Sequence, residues 1–224
     1  MPEPRANAGA AGAVGILGGT FDPVHRAHLA LAQAALDRLG LAQVLWIPAG
    51  RPPHRAAPHT PAADRLAMVR AAIAGEPRFV LDASEAASTA PSYTVETLER
   101  LRRQFGAAQP LVLLMGADAF RGLPGWHRWR ELFGLAHLAV ATRPGFPLAD
   151  FAPELAVEYF SRRLASPEFV TPAGGIVTFE LVAGTVSATE VRGLVAAGAP
   201  DGKLLELLPA PVLDYIRHHH LYRT

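Results

Sequence analysis

The chain has 224 residues, half of them hydrophobic, and its 21 basic and 20 acidic side chains leave a formal charge of +1. That composition excludes a disordered chain and offers no strongly basic face for nucleic acid. Cysteine is absent, which excludes disulfides and thiolate metal sites, and Lys203 is the sole lysine, so a lysine-dependent phosphate loop is unavailable over most of the chain.

In chain order, residues 1–13 are rich in Ala, Gly and Pro and lack the apolar centre of a signal peptide. They read as a disordered leader to one domain, 14–224. No apolar run reaches membrane-span length, so the expectation is a cytoplasmic protein without a membrane partner. A short buried strand is predicted at 14–17. Leu29, Ala32, Leu36 and Leu39 then recur at helical spacing, and Gly40 ends that helix. The next strand, 44–47, stops at Pro48. Pro61 opens a helix with Leu66, Val69 and Ile73 on one face. A strand at 79–81 precedes a helix striped by Val95, Leu98, Leu101 and Phe105. Strands follow at 111–115, 138–141 and 176–179, with helices in the remainder. His218-His219-His220 lies inside native-looking helix.

Strands apolar on both faces, separated by helices, predict an α/β fold: a Rossmann-like, doubly wound, mostly parallel sheet with helices on both faces. Such sheets bind ligands at the carboxyl ends of their strands. The Pro/Gly-rich stretches 49–61 and 143–153 are read as loops within the domain, the first long enough for an active-site flap.

The first strand–loop–helix reads Gly18-Gly19-Thr20-Phe21-Asp22-Pro23-Val24-His25-Arg26-Ala27-His28. Two glycines let the backbone approach a ligand closely. The following helix presents unpaired N–H groups and its positive dipole end, which suits phosphate. His25 and His28 lie three apart, so they face the same way and can donate to phosphate oxygens without a permanent charge. Neither the Gly-x-Gly-x-x-Gly spacing nor the Gly-Lys-Ser/Thr ending is present. A zinc reading of the two histidines lacks a third ligand nearby.

This segment resembles the first signature of the nucleotidyltransferase superfamily with a His-x-x-His motif, and is most similar to that of bacterial nicotinate-nucleotide adenylyltransferases. The family usually has glycine before the second histidine; Ala27 stands there, and its methyl fits within a helix. Downstream, Val186-Ser187-Ala188-Thr189-Glu190-Val191-Arg192 resembles the second signature. Ser187 and Glu190 also form a capping box, and both roles can coexist. Pro52-Pro53-His54-Arg55, Ser92-Tyr93-Thr94, Gly116-Ala117-Asp118, Trp126-His127-Arg128-Trp129 and Thr142-Arg143-Pro144-Gly145 match the nicotinate-nucleotide branch. Each has an ordinary structural reading: a rigid loop, a helix cap, a turn aspartate, a surface arginine. Trp129 reads as core.

The resemblance implies transfer of AMP from ATP to nicotinate mononucleotide, with Mg²⁺ accompanying ATP and no metal ligand from protein side chains. His25, His28 and Arg192 would carry catalysis. ATP would meet Gly18, Gly19, Thr20, Phe21, His25, His28, Asp118, Ser187, Thr189 and Arg192. The mononucleotide would meet His54, Arg55, Tyr93, Thr94, Gly116, Asp118, Trp126 and Arg143. A homo-oligomer is left open. The rival readings are the same chemistry on nicotinamide mononucleotide or another phosphate acceptor, and a non-catalytic nucleotide-binding module.

Overall fold

The computed structural model describes residues 12–51, 58–146, 148–182 and 186–223. In chain order the elements are β1 (Val14–Gly19), α1 (Arg26–Leu39), β2 (Gln43–Pro48), α2 (Ala62–Ile73), β3 (Phe79–Leu81), α3 (Thr94–Phe105), β4 (Leu111–Gly116), α4 (Ala117–Arg121), α5 (Leu132–Leu135), β5 (His137–Thr142), α6 (Pro153–Arg162), β6 (Ile176–Glu180), α7 (Ala188–Ala196), α8 (Asp201–Leu205) and α9 (Ala210–His218). The strands form one sheet in the order β3-β2-β1-β4-β5-β6, and every described pairing is parallel. This is the expected Rossmann-like α/β fold, parallel throughout.

Alternation along each strand sends side chains to two cores. Leu17, Trp46 and Leu114 pack with α1, α2 and α9 on one face. Ile16, Ile47 and Leu113 pack with α3 and α5 on the other. Burial on both faces explains why the strands are near-continuous apolar runs. Helix α1 ends at Gly40, whose φ of 60° is the left-handed cap conformation that glycine adopts without steric cost.

The strands run slightly beyond their apolar cores. Gly18 and Gly19 still pair with Ile47 and Pro48, because the ladder needs backbone and not side chains. In α2 the buried positions are Arg65, Met68, Val69 and Ile73, and Leu66 is only half-buried. The inward face is therefore rotated to admit a guanidinium. At the other end of the chain, Ala13 is already packed and the Gly12 carbonyl accepts from Gln109 at 2.7 Å, so described packing begins just before β1.

His137, at the start of β5, is a buried brace. Its Nδ1 accepts from the Gly175 amide at 3.0 Å, which leaves the proton on Nε2 to donate to the Thr171 carbonyl at 2.7 Å. Burial lowers its pKa, against a smaller opposing effect from Thr171. The neutral ring thus ties the segment before β6 to the sheet.

Candidate active site

The site is set by where two strands part. β1 and β4 pair only from Val14–Leu111 to Ile16–Leu113, although both continue to Gly19 and Gly116. The chain winds outward through β2 and β3 from one side of β1, and through β4, β5 and β6 from the other. A crevice at the carboxyl ends of strands on either side of such a reversal is the ligand position of doubly wound sheets. Here it is a cavity of about 300 Å³ whose lining includes Gly18, Gly19, Thr20, His28, Thr94 and Trp126. A second cavity of about 550 Å³ adjoins it across Leu31 and Gly116, and is lined by Ala27, Asp118, Arg121, Thr142, Arg143 and Val186 among others. A further groove of about 570 Å³ lies at the amino ends of the strands, beside Gly12, Gly40 and Pro110, and has no titratable side chain in its lining.

The two predicted histidines are brought together, with ring centroids 3.7 Å apart and planes inclined 26°. The His25 amide donates to His28 Nδ1 at 3.2 Å. An accepting Nδ1 puts the proton of the neutral His28 ring on Nε2. His28 lines the crevice, whereas His25 is 6% exposed and stands behind it as the N-cap of α1. Among the described residues His25 Nδ1 is buried without a hydrogen-bond partner, the kind of orphan polar atom that a ligand or water satisfies. Phe21 is also buried and does not line the cavity. Its φ of 52° turns the ring inward, where it meets His28 edge-on at 5.0 Å and Trp46 at 5.5 Å. Packing holds this sparsely populated conformation, and the result is a fixed wall behind His28.

Burial pushes the His25 imidazole down from 6.5 to about 4. The ring is therefore neutral at pH 7. Because the folded value lies below the unfolded one, the fold gains stability from neutral His25 above pH 6.5 and loses it as pH falls toward 4. An NMR titration of the ring protons is expected to show His25 titrating near pH 4; a midpoint near 6.5 would contradict the buried placement.

The second predicted segment reaches the first through Arg192. Its Nη1 donates to the Asp22 carbonyl at 2.7 Å and its Nη2 to Thr189 Oγ1 at 3.2 Å. Ser187 caps α7, its hydroxyl accepting from the Glu190 amide at 3.1 Å. The helix start is thus ordered by its own side chains while Arg192 is anchored on the loop after β1.

Side chains that sequence reasoning gave no role hold that loop. The buried Asp22 carboxylate accepts from the His59 amide at 2.6 Å, Thr60 Oγ1 at 2.7 Å and the Tyr222 hydroxyl at 2.6 Å. Burial and the neighbouring Asp22 keep the Tyr222 hydroxyl protonated, its pKa pushed up. Arg65, 1% exposed, donates to the carbonyls of Thr20 (2.7 Å), Ala49 (2.6 Å), Gly50 (3.1 Å) and Thr60 (3.3 Å). Burial lowers the Arg65 pKa, with Asp22 and Tyr222 opposing. One guanidinium thereby joins the loops after β1 and β2. Its signal was in the sequence: Arg65 precedes Val69 and Ile73 by four and eight residues, the spacing of one helix face.

On the far side of the crevice, Tyr93 and Thr94 open α3 and stand opposite Trp126 and His127, with the Tyr93 and His127 rings 4.4 Å apart. Trp129 is buried, as expected. Glu85, another residue without a predicted role, lines the same cavity and accepts from Thr97 Oγ1 at 2.5 Å. Burial raises its pKa, opposed by the hydrogen bond from Thr97 and by the neighbouring Ser92; Asp82 adds to the rise and Arg100 counters it. Asp118 and Arg143 are placed in the adjoining cavity. The Asp118 side chain is fully exposed and pairs with Arg121 at 3.0 Å. His54 and Arg55 lie outside the described residues. Among the described residues, no group of three or more His, Cys, Asp or Glu is arranged to hold a metal ion, and no helix is long and apolar enough to cross a membrane.

A parallel doubly wound sheet with a Gly-Gly loop and His28 lining its central crevice, and a second capped helix start tied to that loop through Arg192, is the architecture of a nucleotide-binding α/β protein. The cytidylyltransferase-like family profile matches residues 16–193, and the chain belongs to that family. It is 54% identical over 215 residues to a curated relative from Dechloromonas aromatica, covering 94% of this chain and 98% of that one. It is 49% identical over 212 residues to one from Laribacter hongkongensis, covering 95% of each. Both relatives are named "probable nicotinate-nucleotide adenylyltransferase". A solved structure, Plasmodium falciparum nicotinic acid mononucleotide adenylyltransferase complexed with NaAD, has the same fold, with a TM-score of 0.70 and 14% identity over 94% of this chain and 97% of that one.

Proposed function

We propose that this protein transfers AMP from ATP to nicotinate mononucleotide, giving nicotinate adenine dinucleotide and pyrophosphate. The observation that carries the reading is the pair of adjoining cavities meeting at Gly116, with His28 and the Gly18–Thr20 loop at one wall and Tyr93, Thr94 and Trp126 at the other. The names of relatives matching nearly the whole chain at 54% and 49% identity support it.

The acceptor's phosphate oxygen attacks the α-phosphorus of ATP in line; the bond from that phosphorus to the bridging oxygen breaks, and pyrophosphate leaves with the electron pair. A phosphate is already ionised at neutral pH, so the step needs no general base. Catalysis is then positioning and charge stabilisation. His28, held by the His25 amide and the Phe21 ring, supplies a hydrogen bond where charge builds. The start of α7 and Arg192 serve the outer phosphates; two of the guanidinium's five N–H groups make the bonds to Asp22 and Thr189. The start of α3 suits the nicotinate carboxylate, since an anion is favoured at a helix N-terminus. The Trp126 face suits the flat pyridine ring. Asp118 and Arg143 serve the nucleoside from the adjoining cavity. Mg²⁺ would accompany ATP and offset the charge of its phosphates.

Gly18 gives a direct check on the phosphate loop. A Cβ there would meet no protein atom within 4 Å. Gly18→Ala is expected to leave folding stability within about 0.5 kcal/mol and to raise the KM for ATP about tenfold or more, because the methyl occupies ligand space. Unchanged ATP kinetics would remove the loop from the site. The acceptor assignment is tested by comparing kcat/KM for nicotinate and nicotinamide mononucleotides with ATP and Mg²⁺. Preference for the acid is expected; equal use of both would defeat the carboxylate site at α3.

A further inference from the structure

Glu85 is the one acidic side chain in the lining of the crevice that the proposed reaction leaves without work. It stands in the loop between β3 and α3, and its contacts radiate to both sides. Toward α3 it accepts from Thr97 Oγ1 at 2.5 Å, a side chain itself buried, and it shares the cavity wall with Ser92. Toward the loop after β2, the Ser92 hydroxyl oxygen accepts from the Gly50 amide at 3.1 Å and the Arg51 amide at 3.4 Å. The Ser92 amide in turn donates to the Arg51 carbonyl at 3.0 Å, and Arg51 pairs with Pro91 in a parallel bridge. Backbones are pressed together here: a Cβ on Gly50 would lie 2.2 Å from the Glu85 carbonyl oxygen, so only glycine fits. Arg65 then holds the Gly50 carbonyl from the phosphate side.

Glu85 therefore meets the first turn of α3 through its carboxylate and the loop after β2 through its backbone carbonyl. Removing the Glu85 carboxylate would strand the buried Thr97 hydroxyl and loosen the first turn of α3, and with it Tyr93 and Thr94.

We propose that Glu85 is a positioning residue for the acceptor mononucleotide, fixing the first turn of α3 through Thr97 while its backbone packs against Gly50. This rests on the acceptor reading given above. Positioning side chains act on the reaction through geometry, and a misplacement of about 1 Å can cost as much as a hundredfold.

The test compares Glu85→Ala and Glu85→Gln with the parent, in steady-state kinetics and by calorimetric binding of nicotinate mononucleotide to the full chain. Glu85→Ala is expected to raise the KM and the Kd for the mononucleotide about tenfold, while the KM for ATP and kcat at saturation change by less than about threefold. Glu85→Gln, whose amide oxygen still accepts from Thr97, is expected to restore binding to within about threefold of the parent. Nicotinamide mononucleotide should suffer the same loss, since the effect runs through the helix start. Parent protein that binds neither mononucleotide overturns the acceptor reading and this proposal with it. Parent protein that binds nicotinate mononucleotide, with Glu85→Ala binding it equally well or losing ATP and acceptor in parallel, overturns the proposal alone. So does a Glu85→Gln variant that gains affinity for the acid over the amide, because the carboxyl would then act on the ring directly.

Discussion

Replacing His28 with alanine is expected to lower kcat by about 100- to 1,000-fold while changing the KM for ATP only a few-fold. His28 lines the crevice, and His25 N–H fixes its tautomer by donating to Nδ1 at 3.2 Å. The ring is stacked on His25 and met edge-on by Phe21, so little rotamer freedom is left to lose when the transition state forms. A donor held this way acts on charge that develops as pyrophosphate departs, which is why its loss falls on turnover more than on ground-state binding. Gln at this position, which keeps an N–H donor on a more flexible stem, should recover part of the loss. An alanine variant with parental kcat would remove His28 from the chemistry.

The second large effect is on the fold. Arg65→Met is expected to cost about 3 kcal/mol of stability, which for a chain of this size lowers Tm by roughly 6–12 °C. Methionine matches the stem but leaves four backbone carbonyls, those of Thr20, Ala49, Gly50 and Thr60, without their common donor. It also removes the positive charge whose field reaches the Asp22 carboxylate. A hydrogen bond to a charged group contributes about 1.5–3 kcal/mol, and stranded buried acceptors add to that. Because the lost bonds lie on the loops after β1 and β2, ATP binding should weaken in the same variant. Urea denaturation decides it: a loss below about 1 kcal/mol would mean that water replaces the guanidinium at no great cost.

How much of this was legible in the sequence follows from the range of the interactions. Strands such as 111–115 and 138–141 were readable because a parallel strand buried on both faces must be an apolar run. The Gly18–His28 loop was readable because backbone access, a helix start and two histidines three apart fall within eleven residues. The junction of Asp22 with Tyr222 was not, because those partners are 200 residues apart in the chain and meet only after the sheet has formed. Glu85 was hidden for another reason. Its loop carries no periodicity, and nothing local tells a buried carboxyl from a solvated one. The distribution of Asp118 and Arg143 into the adjoining cavity likewise depended on where β1 and β4 part, which pairing register alone decides.

Adenylyl transfer at the crevice between β1 and β4 is tested most directly by phosphorus NMR of the protein with ATP, Mg²⁺ and nicotinate mononucleotide. The predicted result is pyrophosphate and the dinucleotide's phosphoanhydride appearing in equal amounts as both substrates decline. Release of inorganic phosphate with ADP, or ATP left intact in the presence of the mononucleotide, would contradict it.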